Sequence, residues 1–220
     1  MSSSAIFALI YLIAAAAATL CDGLELVALY RVLKPLPIIL AMIMALRAAT
    51  PNAPARLWLF LALGGSLAGD ILLLSPQFFI PGLAAFLLAH IAYIVRFTRD
   101  APWFPRGLSA LIIGAAGVSL FVFEARFVPQ ALLVPVAAYS AVISAMAAQA
   151  YGRAQLLKNP AAWRVAIGAL IFVASDTILS VDKFIVPFPA ASVLNSITYY
   201  FSQYLLVTGL IARGYSQARD

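Results

Sequence analysis

Charge is scarce in this chain: Lys, Arg, Asp and Glu make up 10% of its 220 residues, while 65% are hydrophobic. The mean hydropathy is +1.02. Soluble domains carry about 25% charged residues, so the composition excludes that class and describes a polytopic membrane protein. Cysteine is limited to Cys21 and histidine to His90. A lone cysteine excludes an intrachain disulfide framework and leaves the redox compartment unread. One His and one Cys also fall short of the ligand set that a zinc site recruits. Two carboxylates with His90 could hold a metal, but carboxylate acid–base chemistry without metal or cofactor is the expectation. The chain has no Gly-rich phosphate loop, no Gly-x-Ser-x-Gly elbow and no Cys/His nucleophile pattern. It also lacks a basic face with interleaved aromatics, which argues against nucleic acid as a partner.

Long apolar runs take up what remains. Hydrocarbon about 30 Å thick needs about 20 apolar residues per helix, so eight spans are predicted, at about 5–21, 32–47, 57–74, 80–97, 108–123, 128–150, 162–180 and 191–212. The second holds Lys34, Pro35 and Pro37; if it were re-entrant or interfacial, seven would cross. The first could be mistaken for a secretory signal. However, Met1-Ser2-Ser3-Ser4 carries no positive side chain, and Leu20 before Cys21 is not the small residue of a cleavage site, so it reads as a membrane helix. The whole chain, 1–220, forms one all-α membrane domain.

Basic residues in short loops prefer the cytoplasmic side. With eight spans, the side shared by the two termini collects Arg47, Arg56, Arg96, Arg99, Arg106, Arg153, Lys158, Arg164, Arg213 and Arg219, against Arg31, Lys34, Arg126 and Lys183 opposite. Both termini are therefore expected in the cytoplasm. The acids Asp22, Glu25, Glu124 and Asp182 fall outside. The net charge of +6 then reflects topology and contact with anionic lipid headgroups. Arg96, Arg99 and Arg106 read as topogenic charges, and Trp58, Trp103 and Trp163 as an interfacial aromatic belt.

Two aspartates interrupt the apolar background in matching contexts, Ala68-Gly69-Asp70-Ile71-Leu72-Leu73-Leu74 and Ala174-Ser175-Asp176-Thr177-Ile178-Leu179-Ser180. A carboxylate at a helix centre costs roughly 2.5–3.5 kcal/mol on insertion scales, which makes it a functional candidate by default. Sliding the sequence by 106 positions superimposes the two, and also Leu73 on Leu179, Phe78 on Phe184, Pro81 on Pro187, Ala84 on Ala190, Ala85 on Ala191, Leu88 on Leu194, Ile91 on Ile197 and Tyr93 on Tyr199. Shared Ala/Leu-rich composition explains part of this; the Asp, Phe, Pro and Tyr matches do not follow from it. Two parallel repeats, about 1–106 and 107–220, are expected, with function between them.

The 1.5 Å rise per residue places Asp70 roughly 6 Å and Asp176 roughly 7 Å outside their span midpoints. Lys34 opens the second span from the outer side, Asn195, Tyr199 and Gln203 share one helix face at i, i+4 and i+8, and His90 lies near the middle of the fourth span. A water-filled cavity opening outward would solvate them all. Each has a structural alternative. The aspartates could be helix-locking hydrogen-bond partners. Lys34 could snorkel, and His90 could be a satisfied interhelical donor. Tyr199, Gln203 and Tyr139 read as cavity-lining. Gly65-xxx-Gly69, the Gly107/Ala110/Gly114/Gly117 stripe and Ala137/Ala141/Ala145/Ala148 read as helix-packing faces.

These residues resemble a known family, the YhhN family of membrane lysoplasmalogenases, over nearly the whole chain. The resemblance rests on Lys34-Pro35, Gly69-Asp70, Phe79-Ile80-Pro81-Gly82-Leu83, the run Ala85-Phe86-Leu87-Leu88-Ala89-His90-Ile91-Ala92-Tyr93, the Tyr139 segment, Gly168 to Asp176, and Tyr199-Tyr200 with Gln203. It implies an eight-span hydrolase that cleaves the vinyl-ether bond of lysoplasmalogens to a fatty aldehyde and glycerophosphocholine or glycerophosphoethanolamine. It is compatible with a bacterial inner membrane. Vinyl-ether hydrolysis starts with slow protonation of carbon and continues with water capture of an oxocarbenium ion. Paired carboxyls in a poorly solvated cavity do not both ionise easily, so one of Asp70 and Asp176 is expected to be the general acid while the other stabilises the cation and positions water. Lys34 would pair with the lipid phosphate, and His90, Tyr139, Asn195, Tyr199 and Gln203 would line or orient the lysophospholipid. The competing readings are a transporter using the aspartates as proton or cation sites and a structural membrane subunit, which leaves the aspartates unexplained.

Overall fold

In the computed structural model, which describes residues 3–48 and 53–212, every regular element is helical. The chain runs α1 (Ser3–Gly23), α2 (Val27–Leu33), α3 (Leu36–Arg47), α4 (Ala53–Leu72), α5 (Phe79–Phe97), α6 (Gly107–Glu124), α7 (Leu133–Leu157), α8 (Pro160–Ser180) and α9 (Ala191–Ile211). Short turns extend three of these: 3₁₀ turns at Pro76–Phe78 and Gln130–Leu132 lead into α5 and α7, and a π turn at Val181–Ile185 continues α8. The result is an all-α polytopic bundle.

Among the described residues seven segments are long and apolar enough to cross a membrane: Ala5–Gly23, Val27–Arg47, Ala53–Leu72, Pro76–Phe97, Gly107–Glu124, Gln130–Leu157 and Pro160–Ile185. The eighth expected span is α9, a helix of 21 residues. It is long enough but less apolar, because Asn195, Ser196, Thr198, Ser202, Gln203 and Thr208 interrupt it. The second segment begins at Val27 rather than at 32. Pro35 and Pro37 carry no amide hydrogen, so the helix breaks at Lys34, and α3 restarts with Pro37 in its first turn. The segment nonetheless continues to Arg47 and as a whole is long and apolar enough to cross.

Local chemistry sets the other boundaries. Lys158 ends α7 in the left-handed conformation, φ 52°. Asn159 then caps α8 by accepting the Ala162 amide at 2.8 Å, with Pro160 at the first helical position. Glycine permits the closest helix contacts. A Cβ on Gly65 would lie 2.9 Å from the Ala85 carbonyl oxygen, one on Gly168 3.0 Å from that of Ser202, and one on Gly209 2.7 Å from that of Ala161. Helix α4 therefore packs tightly on α5, and α8 on α9.

Helix α1 is part of the core: Tyr11 is fully buried and donates to the Tyr200 carbonyl at 2.7 Å. Helix α6 is the reverse, with Glu124 its only buried residue and Leu108, Leu111 and Val118 facing outward. At the opposite end from Glu124, Asp100 accepts from Arg153 at 2.5 and 2.9 Å and from Arg96 at 3.3 Å. Both arginines are buried. Besides its expected topogenic role, Arg96 belongs, like Arg153, to an interior ion cluster that ties the α5–α6 connection to α7. Gln149 completes the tie by accepting the Phe104 amide at 2.7 Å and donating to the Pro102 carbonyl at 2.9 Å. Arg213 and Arg219 lie outside the described residues.

Candidate active site

One cavity gathers both intramembrane aspartates with several other polar side chains. Asp70, Asp176, Lys34, Tyr139, Asn195 and Tyr199 all line it. It is partly open and lined mainly by apolar surface with a few convergent polar groups, the make-up of a ligand site. Its walls come from both ends of the chain: α2, α4, α5, α6, α7, α8 and α9 each contribute.

Asp70 sits on the last turn of α4 and is 2% exposed. Its carboxyl accepts a 2.7 Å hydrogen bond from the Tyr199 hydroxyl of α9. The neighbouring Gly69 makes room for this, because a Cβ there would run into the Phe86 ring. Phe86 and Phe172 in turn pack edge-on against the Tyr199 ring, at centroid separations of 5.8 and 5.5 Å, and fix its direction.

Asp176 sits on α8 with its side chain 18% exposed. It accepts from the Tyr139 hydroxyl of α7. His90 Nε2 of α5 lies 2.9 Å from the same hydroxyl oxygen and 3.8 Å from the carboxylate. The phenol has one proton, which goes to Asp176, so His90 Nε2 is assigned as the donor to Tyr139. Nδ1 is then the bare nitrogen, buried without a hydrogen-bond partner. The chain His90 to Tyr139 to Asp176 crosses three helices.

The structure therefore gathers the two aspartates, Lys34, Tyr139, Asn195 and Tyr199 in one place, but it does so through tyrosines. Among the described residues no hydrogen bond joins Asp70 to Asp176 directly. His90 does not line the cavity; it lies one layer behind Tyr139. Gln203 does not reach the cavity either, contrary to its expected place on the Asn195/Tyr199 face. It accepts from Tyr93 at 2.7 Å and donates to Ser66 at 3.0 Å, and so locks α9 to α5 and α4. Asn195 lines the cavity while its amide pins α9 to α8 through the Ser175 carbonyl at 2.8 Å.

Three further cavity residues went unassigned in the sequence. Tyr30, one turn before Lys34, has the Lys34 ammonium 5.4 Å from its ring centre. Lys183, on the π turn, lies 4.1 Å over the Phe79 ring, and π turns recur at functional sites. Glu124 ends α6. Lys183 and Glu124 counted only as outer-side charges in the sequence; their depth depends on the tilt of α6 and on the π turn, which no local pattern announces.

Fold and site together define a polytopic membrane protein with an intramembrane carboxylate site. The chain belongs to the YhhN family, whose model matches residues 29–210. Lysoplasmalogenase TMEM86B of Homo sapiens is 40% identical over 145 residues, which is 66% of this chain and 59% of that protein. TMEM86B of Rattus norvegicus is 31% identical over 174 residues, covering 76% and 67% of the two chains. The lysoplasmalogenase of Mycobacterium tuberculosis is 32% identical over 170 residues, covering 73% and 63%. The matched stretch thus spans between 59% and 67% of these relatives' own length. No solved structure matches the chain significantly.

Proposed function

We propose that this protein is a membrane-embedded lysoplasmalogenase, which hydrolyses the vinyl-ether bond of a lysoplasmalogen to a fatty aldehyde and a glycerophospho-alcohol by carboxylate acid–base catalysis. The observation that carries this reading is the opening of two aspartates, each held by a tyrosine phenol from another helix, onto one cavity. The names of the relatives agree with it.

Asp70, the more enclosed carboxyl, delivers a proton to the β-carbon of the vinyl ether. The electron pair of the C=C bond takes it up and leaves an oxocarbenium ion. Asp176, the more accessible carboxylate, stabilises that cation and accepts a proton from the attacking water, giving a hemiacetal. In the collapse of the hemiacetal Asp176 passes its proton to the departing glycerol oxygen while Asp70 takes the hydroxyl proton, so the carbon–oxygen bond breaks, the aldehyde leaves and both carboxyls return to their starting states. Proton transfer by a positioned side chain contributes about 10²–10⁴-fold. Tyr139, with His90 behind it, and Tyr199 keep the two carboxyls apart and aimed into the cavity.

Lys34 binds the lipid phosphate. The tail leaves sideways between α6 and α7, where an open groove lined by Ala110, Gly114, Gly117, Ala137 and Ala141 shares Gly117, Ser140 and Ser144 with the cavity. The site faces outward, with both termini in the cytoplasm. The transporter alternative needs a polar path to the other face. Behind the aspartates the polar side chains Ser66 and Gln203 are instead fully buried and bonded to each other.

The test is aldehyde release from a lysoplasmalogen by detergent-purified protein, beside Asp70→Asn and Asp176→Asn variants shown to be folded. Turnover by the wild type and a loss of at least about a hundredfold in each variant are expected. A wild type inert towards every lysoplasmalogen, or variants that retain full activity, would sink the reading.

A further inference from the structure

Glu124 is the cavity group that the mechanism leaves unused, and its position is costly. It is the last residue of α6, where the helix dipole disfavours a negative charge. It is 3% exposed and lines the cavity. Ser180 donates to its Oε2 at 2.9 Å, but Oε1 is buried with no hydrogen-bond partner. Among the described residues no Lys or Arg forms an ion pair with it. Lys183, at the same cavity, lies against the Phe79 and Phe184 rings rather than against a carboxylate. An acceptor kept bare in a cavity that two lysines also line matches a ligand that brings both an anion and a hydrogen-bond-donating cation.

We infer that Glu124 recognises the primary ammonium of a phosphoethanolamine headgroup, with Lys183 and Lys34 on its phosphate, so that the cavity selects ethanolamine over choline lysolipids. The inference rests on the lysoplasmalogenase reading for its substrate class. The distinction between headgroups follows from Oε1: a primary ammonium has N–H groups to satisfy a bare acceptor, whereas a trimethylammonium has none. Because Glu124 contacts the headgroup and not the reacting carbons, it acts on affinity and leaves the chemical step alone.

The experiment compares wild type with Glu124→Gln and the charge-retaining Glu124→Asp on three vinyl-ether lysolipids of one chain length, with ethanolamine phosphate, choline phosphate or bare phosphate headgroups. Wild type is expected to show the lowest KM for the ethanolamine lipid. In Glu124→Gln that KM rises by about tenfold or more, the scale of one lost charge-assisted hydrogen bond. Its kcat stays level, the bare-phosphate lipid is unaffected, and Glu124→Asp restores part of the preference. Equal wild-type KM values for the ethanolamine and bare-phosphate lipids overturn the inference whether or not the variants fold, as does a Glu124→Gln defect of equal size on all three. Binding of saturated 1-O-alkyl lysolipids with the same headgroups, followed by tryptophan fluorescence, separates the two ideas. A wild type that hydrolyses nothing but binds the ethanolamine lipid through Glu124 overturns the reaction and keeps the recognition; one that binds all three equally overturns the recognition.

Discussion

Tyrosines 139 and 199 give the aspartates of this site the hydrogen bonds that water gives a carboxylate at a surface. A hydrogen bond to a charged group contributes about 1.5–3 kcal/mol, and leaving a buried partner unsatisfied costs the full desolvation of that group. Asp70 is nearly sealed whereas the Asp176 side chain is 18% exposed. Tyr199→Phe is therefore expected to lower unfolding stability by about 2 kcal/mol, and Tyr139→Phe by more, because water can reach Asp176 but not the fully buried His90 Nε2 that loses its partner as well. Denaturation of the two variants in detergent checks the order; equal losses would refute it. The aspartates were legible from sequence because an intramembrane carboxylate is costly wherever it points. Their tyrosine partners were not, because Tyr199 is 129 residues from Asp70 and Tyr139 37 from Asp176, and only folding decides which phenol arrives. Gln203 shows the same limit. Its place on a polar helix face was correct, but that face passes from the cavity into the α4–α5 interface within two turns.

Among the helices, stripes of small residues turn out to do two different things. Gly65 and Gly69 let α4 close on α5, as the spacing predicts. Gly117 also packs, since a Cβ there would run into Ser144 of α7, but Gly114 belongs to a groove instead, because α6 packs chiefly on α7 and leaves its other faces uncovered. A Cβ on Gly114 would meet nothing within 4 Å. Gly114→Leu should thus seat its Cβ without displacing protein atoms and extend into the groove, and the gain in helix propensity, about 0.8 kcal/mol over glycine, should keep the fold at least as stable. Hydrolysis of a long-chain lysoplasmalogen is expected to fall by about tenfold, equivalent to about 1.4 kcal/mol, while a short-chain analogue is spared. A chain-length series on the variant measures this, and an equal loss at every length would remove the tail from the groove.

For the molecule as a whole, the orientation that the basic loops imply places Trp103 and Phe127 on opposite sides of the membrane, and both are exposed. In a Cys21→Ser background, a membrane-impermeant maleimide added to intact cells should label Phe127→Cys at once and Trp103→Cys only after permeabilisation. The reverse pattern would turn the site towards the cytoplasm. The two-repeat proposal draws support from element order. At an offset of 106 positions, α4 falls on α8, the turn at Pro76–Phe78 on the one at Val181–Ile185, and α1 on α6. Yet the local roles have diverged: Tyr199 holds Asp70, while its counterpart Tyr93 bonds Gln203 and leaves Asp176 to Tyr139.

Hydrocarbon leaves a chain so few choices that composition settles the class: runs of apolar residues must be helices, since no water is present to satisfy their backbone. The apolar runs, their approximate ends and the two costly aspartates follow from the order of residues alone, because each depends on its immediate neighbours in the chain. The cavity, the tyrosine-held carboxyls, the buried arginines around Asp100 and the bare oxygen of Glu124 do not. They are contacts between helices distant in sequence, and side-chain packing, which the apolar pattern does not encode, chose the partners.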